Sequence, residues 1–202
     1  MSLRPPLKLG ILGSGRGSNF IAISDTIHAG RLNASVEIVI SDLADAPILQ
    51  LAQQRGYKTW SCPKGNFKTK LEPEIEEQLA AQLKAANCEL IVLAGYMRVV
   101  KTPLLAAFPG RIINIHPSLL PAFPGLNAWE QALTACIAQT GCTVHFVNEV
   151  VDGGSIIAQT KVPILPDDTA ETLHARIQVE EHKLLPAVIR QISEGKIVLD
   201  RH

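Results

Sequence analysis

The sequence predicts a three-layer α/β fold, in which helices cover both faces of a doubly wound, mostly parallel β-sheet. Short apolar runs alternate with segments whose apolar residues recur every three or four positions. This alternation is typical of buried parallel strands joined by amphipathic helices. The chain has 202 residues, 47% of them hydrophobic, and it shows no linker or repeat. We therefore expect a single domain over residues 1–202.

The first predicted unit is a strand, a glycine loop and a helix. The apolar run 7–12 leads into three alternating glycines, the last of them Gly17, and apolar residues at helical spacing follow. This order makes the N-terminal half Rossmann-like. Glycines let a loop approach a ligand closely, and the N–H groups at the start of the next helix attract an anion. The loop predicts a phosphate site, with a purely structural glycine turn as the alternative.

A dinucleotide site is a rival interpretation of the same loop. Gly13 and Gly15 fit the opening of the G-x-G-x-x-G pattern, and Asp42 stands where a ribose-binding acid is expected. Ser18 occupies the position of the third glycine, which weakens this interpretation.

The next predicted elements are a strand at 36–40, a short helix at 47–55 and a strand at 57–61. A third helix is predicted from apolar residues spaced by four positions. These residues are Leu71, Ile75, Leu79 and Leu83. Acidic residues crowd its first turns, where the helix dipole favours negative charge, and they predict a solvated face. They are Glu72, Glu74, Glu76 and Glu77.

The second half of the chain continues the alternation. The apolar runs 90–94 and 111–116 predict interior strands. A helix is predicted at 128–138, and strands at 143–147 and 156–164.

The last predicted helix begins at a cap formed by Asp168 with Glu171 and carries a kink at Pro186. Helical spacing predicts a buried face for this helix. Its members are Leu173, Ile177, Leu184, Val188 and Ile192.

Charge and cysteine content limit the class of function. Lys and Arg together number 19, as do Asp and Glu, so we expect small-molecule partners and neither nucleic acid nor membrane. The sequence shows no signal-like segment, which favours a cytoplasmic protein. The four cysteines form no Cys-x-x-Cys pair, which favours free thiols and no metal.

Asn114 and His116 are candidate site residues. They alternate along one predicted strand, so both side chains point to one face, at the strand's C-terminal end. Open α/β sheets bind their ligands at such ends. Pro117 and Pro121 stiffen the loop that follows. A hydrogen-bonded structural histidine is the alternative.

Three ordered motifs resemble those of the folate-dependent formyltransferases. Segment 114–121 reads NIHPSLLP, Gly125 follows, and Asp152 precedes two glycines. Segment 15–19, GRGSN, resembles the family's phosphate loop. The resemblance extends from Lys8 to Pro186.

The resemblance implies transfer of a formyl group from 10-formyltetrahydrofolate, as co-substrate, to the amine of glycinamide ribonucleotide in purine synthesis. It implies that Asn114, His116 and Asp152 are catalytic. Asn114 and His116 would donate hydrogen bonds to the developing oxyanion, and Asp152 would orient and charge the imidazole. A monomer or homodimer is expected.

The resemblance also implies binding residues. Those for the ribonucleotide are Gly17, Ser18, Asn19 and Glu181, and those for the folate, besides Asn114 and Asp152, are Met97, Arg98, Val99, Val100, Asn148, Glu149, Val150 and Val151. It assigns phosphate and nucleotide binding to residues 1–100, and folate binding and catalysis to residues 101–202.

Several positions receive no catalytic role. The family often has histidines at 127–130, where this chain reads NAWE. Arg16 either contacts phosphate or points to solvent. Trp60 and Trp129 are predicted to pack, and the remaining predicted non-catalytic residues are His28, His145, His174 and His182.

Two other classes of function remain open. One is a related folate enzyme with another acceptor or with water. Relatives that formylate tRNA need a basic surface, which the balanced charge does not predict. The other is a nucleotide-binding dehydrogenase or a non-catalytic module, which nicotinamide binding would separate from the first.

Overall fold

A seven-stranded sheet with helices on both faces organises the chain, which confirms the predicted α/β fold. The computed structural model describes residues 4–63 and 65–199, so residues 1–3, 64 and 200–202 of the predicted domain lie outside the described residues. The strands are β1 (Leu7–Leu12), β2 (Ala34–Ser41), β3 (Thr59–Ser61), β4 (Leu90–Leu93), β5 (Ile112–His116), β6 (Gln139–Phe146) and β7 (Ile156–Pro163). The helices are α1 (Ser18–His28), α2 (Pro47–Gln54), α3 (Pro73–Ala85), α4 (Thr102–Ala107), α5 (Ala128–Thr134) and α6 (Ala170–Ser193).

The strand order is β3-β2-β1-β4-β5-β6-β7. Strands β1 to β5 pair in parallel, whereas β6 is antiparallel to β5 and β7 is antiparallel to β6. The chain builds outwards from β1 to β3 and then returns to place β4 on the other side of β1. This change of direction opens a crevice at the carboxyl ends of β1 and β4.

Two apolar clusters fill the space on opposite faces of the sheet. One packs Phe20 of α1, Ile48 of α2 and Ile177 of α6 against β1 side chains such as Ile11. The other consists of α3 and α4 residues packed with alternate strand residues such as Leu12. Because side chains alternate between the two faces of a strand, β1 contributes to both clusters, which gives three layers.

Several predicted boundaries differ from the structure. Strand β2 begins at Ala34, which pairs with Leu7, and β3 is limited to three residues. Helix α5 ends at Thr134 because Cys136 has a φ of 50°, which a right-handed helix does not accommodate. Strand β6 therefore starts at Gln139, earlier than predicted. Helix α4, with proline in its first turn, was not predicted.

The predicted solvated face of α3 is wrong at Glu76. This residue is buried, and its Oε1 accepts the Lys101 N–H at 2.9 Å. It therefore ties α3 to the start of α4, which the helical spacing of the sequence does not reveal. Leu71 is buried but precedes the helix.

The capping prediction for α6 is also wrong. Thr169 is the N-cap and exchanges hydrogen bonds with Thr172, whereas Asp168 binds Arg176 at 2.6 Å. The helix continues past Pro186 to Ser193. Its apolar face includes Leu185, while Leu184 is only partly buried. Across residues 4–63 and 65–199, no helix combines the length and apolar character needed to cross a membrane.

Candidate active site

A cleft of about 440 Å³ opens at the carboxyl ends of β1, β4 and β5. The glycine loop, the segment after β4, the end of β5, the turn before β7 and one face of α6 line it. The structure brings together almost every predicted site residue here. The exception is Glu149, which is exposed and does not line the cleft.

The glycine loop passes close to α2 before it enters α1. A Cβ atom at Gly17, whose φ is 78°, would lie 2.9 Å from the Ile48 side chain, and one at Gly13 would lie 2.6 Å from it. Gly15 has open space around it and lines the cleft. Helix α1 has no acidic residue in its first turn and no side-chain cap. Its first N–H groups are therefore suited to an anion.

Asn19 and Glu181 join α1 to α6 at one end of the cleft. The Asn19 Nδ2 donates to Glu181 Oε2 at 3.0 Å. Burial raises the pKa of Glu181 to about 7, and the hydrogen bond from Asn19 opposes this rise. The Asn19 Oδ1 is buried and has no partner among the described residues, so it can accept a hydrogen bond from a ligand.

Asn114, His116 and Asp152 meet where β5 ends. The Asp152 Oδ2 lies 3.3 Å from His116 Nδ1, and its Oδ1 lies 3.4 Å from Asn114 Nδ2. The His116 Nε2 also bonds the Phe123 carbonyl oxygen at 2.9 Å. Because a carbonyl only accepts, Nε2 carries a hydrogen in that bond. A second hydrogen on Nδ1 gives an imidazolium paired with Asp152.

The charges of this group depend on each other. Burial lowers the pKa of His116, and the nearby Asp152 carboxylate and the Phe123 carbonyl oppose the decrease. Burial alone would raise the pKa of Asp152, but the His145 side chain 3.5 Å away, the hydrogen bond from the Gly125 N–H and the charge of His116 outweigh it, so this pKa lies below its usual value.

His145 belongs to this group, although the sequence predicts no catalytic role for it. It lies directly opposite Asn114 in the antiparallel β5–β6 register. Its Nδ1 bonds the Phe146 carbonyl at 2.8 Å and its Nε2 contacts Asn114 Nδ2 at 3.1 Å. The Nε2 of the neutral tautomer accepts from the amide. Predicted strands carry both residues, but only the register makes them neighbours.

Asp42 is not available to a ribose. It is buried, accepts the Ser14 hydroxyl at 2.5 Å and pairs with Arg98 Nε at 2.7 Å. The Arg98 side chain also donates to the Phe67 and Lys68 carbonyls. The acid that the dinucleotide interpretation requires is therefore occupied in contacts with Ser14 and Arg98.

Apolar side chains stand exposed around the mouth of the cleft. Met97 follows β4, Leu126 precedes α5, and Val150 and Val151 belong to the turn before Asp152; each is at least half exposed. Exposed apolar residues at the edge of a cleft are typical of a ligand site. Within the described ranges, no cluster of three or more His, Cys, Asp or Glu is arranged to hold a metal ion.

Comparisons with known proteins agree on one family. Residues 7–189 match the family described as formyl transferase. The chain is 41% identical over 192 residues to phosphoribosylglycinamide formyltransferase of Haemophilus influenzae, covering 95% of this chain and 90% of that protein. It is 38% identical to the human trifunctional purine biosynthetic protein adenosine-3, covering 95% of this chain and 19% of that protein. The crystal structure of glycinamide ribonucleotide transformylase 1 from Symbiobacterium toebii superimposes with a TM-score of 0.91 at 45% identity, covering 97% of this chain and 92% of that one.

Proposed function

Because the chain belongs to the formyl transferase family, we propose that it transfers the formyl group of 10-formyltetrahydrofolate to the amine of glycinamide ribonucleotide. The observation that carries this proposal is one cleft that holds both Asn114 with His116 and Asp152 and a glycine loop suited to phosphate. The named relatives support the choice of acceptor. Cytoplasmic location and a monomeric or dimeric state remain predictions of the sequence.

The acceptor binds at the α1 end of the cleft in this proposal. The N–H groups of Gly17, Ser18 and Asn19 face the phosphate, and Glu181 accepts hydrogen bonds from the ribose hydroxyls. The buried, unpartnered Asn19 Oδ1 fits such a polar ligand. Because α1 and α6 are neighbours, residues from both ends of the chain meet at this site.

The formyl donor occupies the side of the cleft with the exposed apolar rim. Its flat ring system suits a slot between segments 97–100 and 148–152, where Met97, Val150 and Val151 supply apolar contact. The Arg98 side chain supports this slot from behind through Asp42. The Met97 N–H is bonded to Ser14 Oγ at 2.8 Å, which fixes the segment against the glycine loop.

Formyl transfer places negative charge on the formyl oxygen when the amine attacks. The bond from the amine nitrogen to the formyl carbon forms, the bond from that carbon to N10 breaks, and the amine proton reaches N10 directly or through water. In this proposal Asn114 and His116 donate hydrogen bonds to that oxygen. Their contacts of 3.4 and 3.3 Å with Asp152 are long, so a substrate oxygen competes with them effectively.

His145 acts as a positioning residue for Asn114 in this mechanism. We expect His145→Phe to lower kcat about tenfold, because Asn114 loses a buried hydrogen-bond partner. His145→Gln restores an acceptor and should recover most of the rate. Steady-state kinetics with His28→Gln as control, a histidine bonded to the Ser24 carbonyl of its own helix, checks this. Equal losses in the Phe and Gln variants would refute the positioning role.

The acceptor assignment is tested by supplying 10-formyltetrahydrofolate with and without glycinamide ribonucleotide. We expect tetrahydrofolate release to require the ribonucleotide, with one formylated product per folate released, measured by absorbance and mass spectrometry. Release at the same rate without the amine would show a hydrolase. Release with an unphosphorylated amine at equal efficiency would also overturn the acceptor.

A further inference from the structure

A stacked pair of aromatic rings borders the cleft beside the glycine loop. The rings of Trp129 on α5 and His174 on α6 are almost parallel, at 4°, with centroids 3.7 Å apart. Both residues are partly buried and line the same cleft as the proposed catalytic group. Trp129 also packs against the apolar cluster that contains Phe20 and Ile177, as predicted, while the stacked pair forms part of the cleft wall.

His174 lies on the cleft-lining face of α6. Gln178 follows four residues later and Glu181 three residues after that, so the three side chains share one helix face. The face extends about 10 Å from His174 to Glu181. The His174 Nε2 is 3.4 Å from the Gln178 Nε2. Two nitrogens this close can share one oxygen ligand when both donate.

The surroundings of His174 disfavour its charged form. Burial lowers the pKa of His174, and the positive charge of Arg16 adds to this effect. The glycine loop contributes Arg16, α5 contributes the uncharged Trp129, and α6 itself contributes Gln178 and the acid Glu181. An anion between Arg16 and His174 turns their repulsion into shared attraction, and the indole face also favours an imidazolium.

We propose that His174 binds the phosphate of the acceptor substrate together with Arg16 and Gln178, and that it takes up a proton when the phosphate enters. Trp129 keeps the imidazole plane parallel to its own ring, so that the protonated Nε2 and Gln178 Nε2 donate to the same phosphate oxygen. This inference rests on the proposed function only in requiring a phosphorylated acceptor. It gives Arg16 and Trp129 binding roles that the sequence left open or predicted as packing.

The direct test is an NMR titration of the His174 ring with ribose 5-phosphate, and with ribose as control. We expect ribose 5-phosphate to raise the midpoint of the His174 titration by about 1 pH unit or more, as an anion within contact distance does, and ribose to leave it unchanged. Inorganic phosphate separates a general anion effect from the sugar phosphate. An unchanged midpoint with saturating ribose 5-phosphate would overturn the proposal.

Kinetics supply the second test. His174→Gln should raise KM for glycinamide ribonucleotide about tenfold, as loss of a charge-assisted hydrogen bond does, and leave kcat and KM for the folate within about twofold. His28→Gln, on α1, is the matched control. An equal rise in KM for both substrates would show that His174 has only a structural role and would overturn the assignment. The titration does not depend on turnover. A shifted midpoint in a protein that forms no formylated product would therefore support this phosphate site and overturn the proposed acceptor.

Discussion

Replacing His116 with alanine is expected to lower kcat about 100-fold or more, because one of two preorganised donors to the developing oxyanion is lost. The side chain is almost fully buried, so the alanine also leaves a cavity. Circular dichroism and thermal unfolding must therefore accompany the kinetics. His116→Asn, which retains a donor, separates the two effects. A rate near that of the wild type in a folded alanine variant would exclude the proposed role.

Asp152→Asn tests the same group with less structural disturbance. Asn tolerates the φ of 53° found at this position, and its Oδ1 can still accept the Gly125 N–H, which now bonds Asp152 at 2.8 Å. Loss of the carboxylate removes a charge that raises the pKa of His116, so that pKa falls further. We expect kcat to fall about 100-fold. In the pH–rate profile, the limb that reports loss of the His116 imidazolium should move to lower pH.

The control for this variant is Asp167→Asn, an exposed aspartate outside the cleft. It should keep the rate and the pH profile of the wild type. If Asp152→Asn lowers kcat without moving the profile, the carboxylate supports the turn and does not tune His116.

Glu181→Gln should have opposite effects on binding and stability. Burial raises the pKa of Glu181 to about 7 in the folded protein, above the ordinary 4.5 of a glutamate. The folded state therefore holds an extra proton between these values, and stability falls as the pH rises through this range. By pH 8 this raised pKa has cost the folded state about 3 kcal/mol of stability. Glutamine has no charge to bury, so the variant should be more stable than the wild type at pH 8, with little difference at pH 5.

Urea unfolding at the two pH values measures this effect, with Glu180→Gln as the neighbouring control. The control residue pairs with Lys183 and is only partly buried, so its effect should be small at both values. The same Glu181→Gln variant should raise KM for glycinamide ribonucleotide about tenfold, since charge-assisted hydrogen bonds to the ribose are lost. An equal change in stability at pH 5 and pH 8 would show that Glu181 is ionised in the fold.

The sequence carried enough information for the fold and for the location of the cleft. Periodicity reveals buried strands and helix faces, and the position of Asn114 and His116 at a strand end follows from local pattern alone. Asp152 was assigned through resemblance, because its proximity to His116 arises only when the turn before β7 folds back across β5.

Features that depend on register or on tertiary contact could not be predicted. His145 faces Asn114 because of antiparallel pairing, and periodicity does not encode register. Glu76 looked like one more surface acid of α3, although a distant backbone N–H holds it inside. Asp42 matched a ribose-binding position, but Ser14 and Arg98 surround it only in three dimensions.

The segment between β5 and α5 is tethered to both ionisable groups of the centre. The Phe123 carbonyl holds one nitrogen of His116, and the Gly125 N–H holds Asp152. Movement of this segment away from the cleft would break both hydrogen bonds, one to the His116 imidazole and one to the Asp152 carboxylate. A reactant that moves this segment as it enters therefore also changes the charge balance of His116 and Asp152.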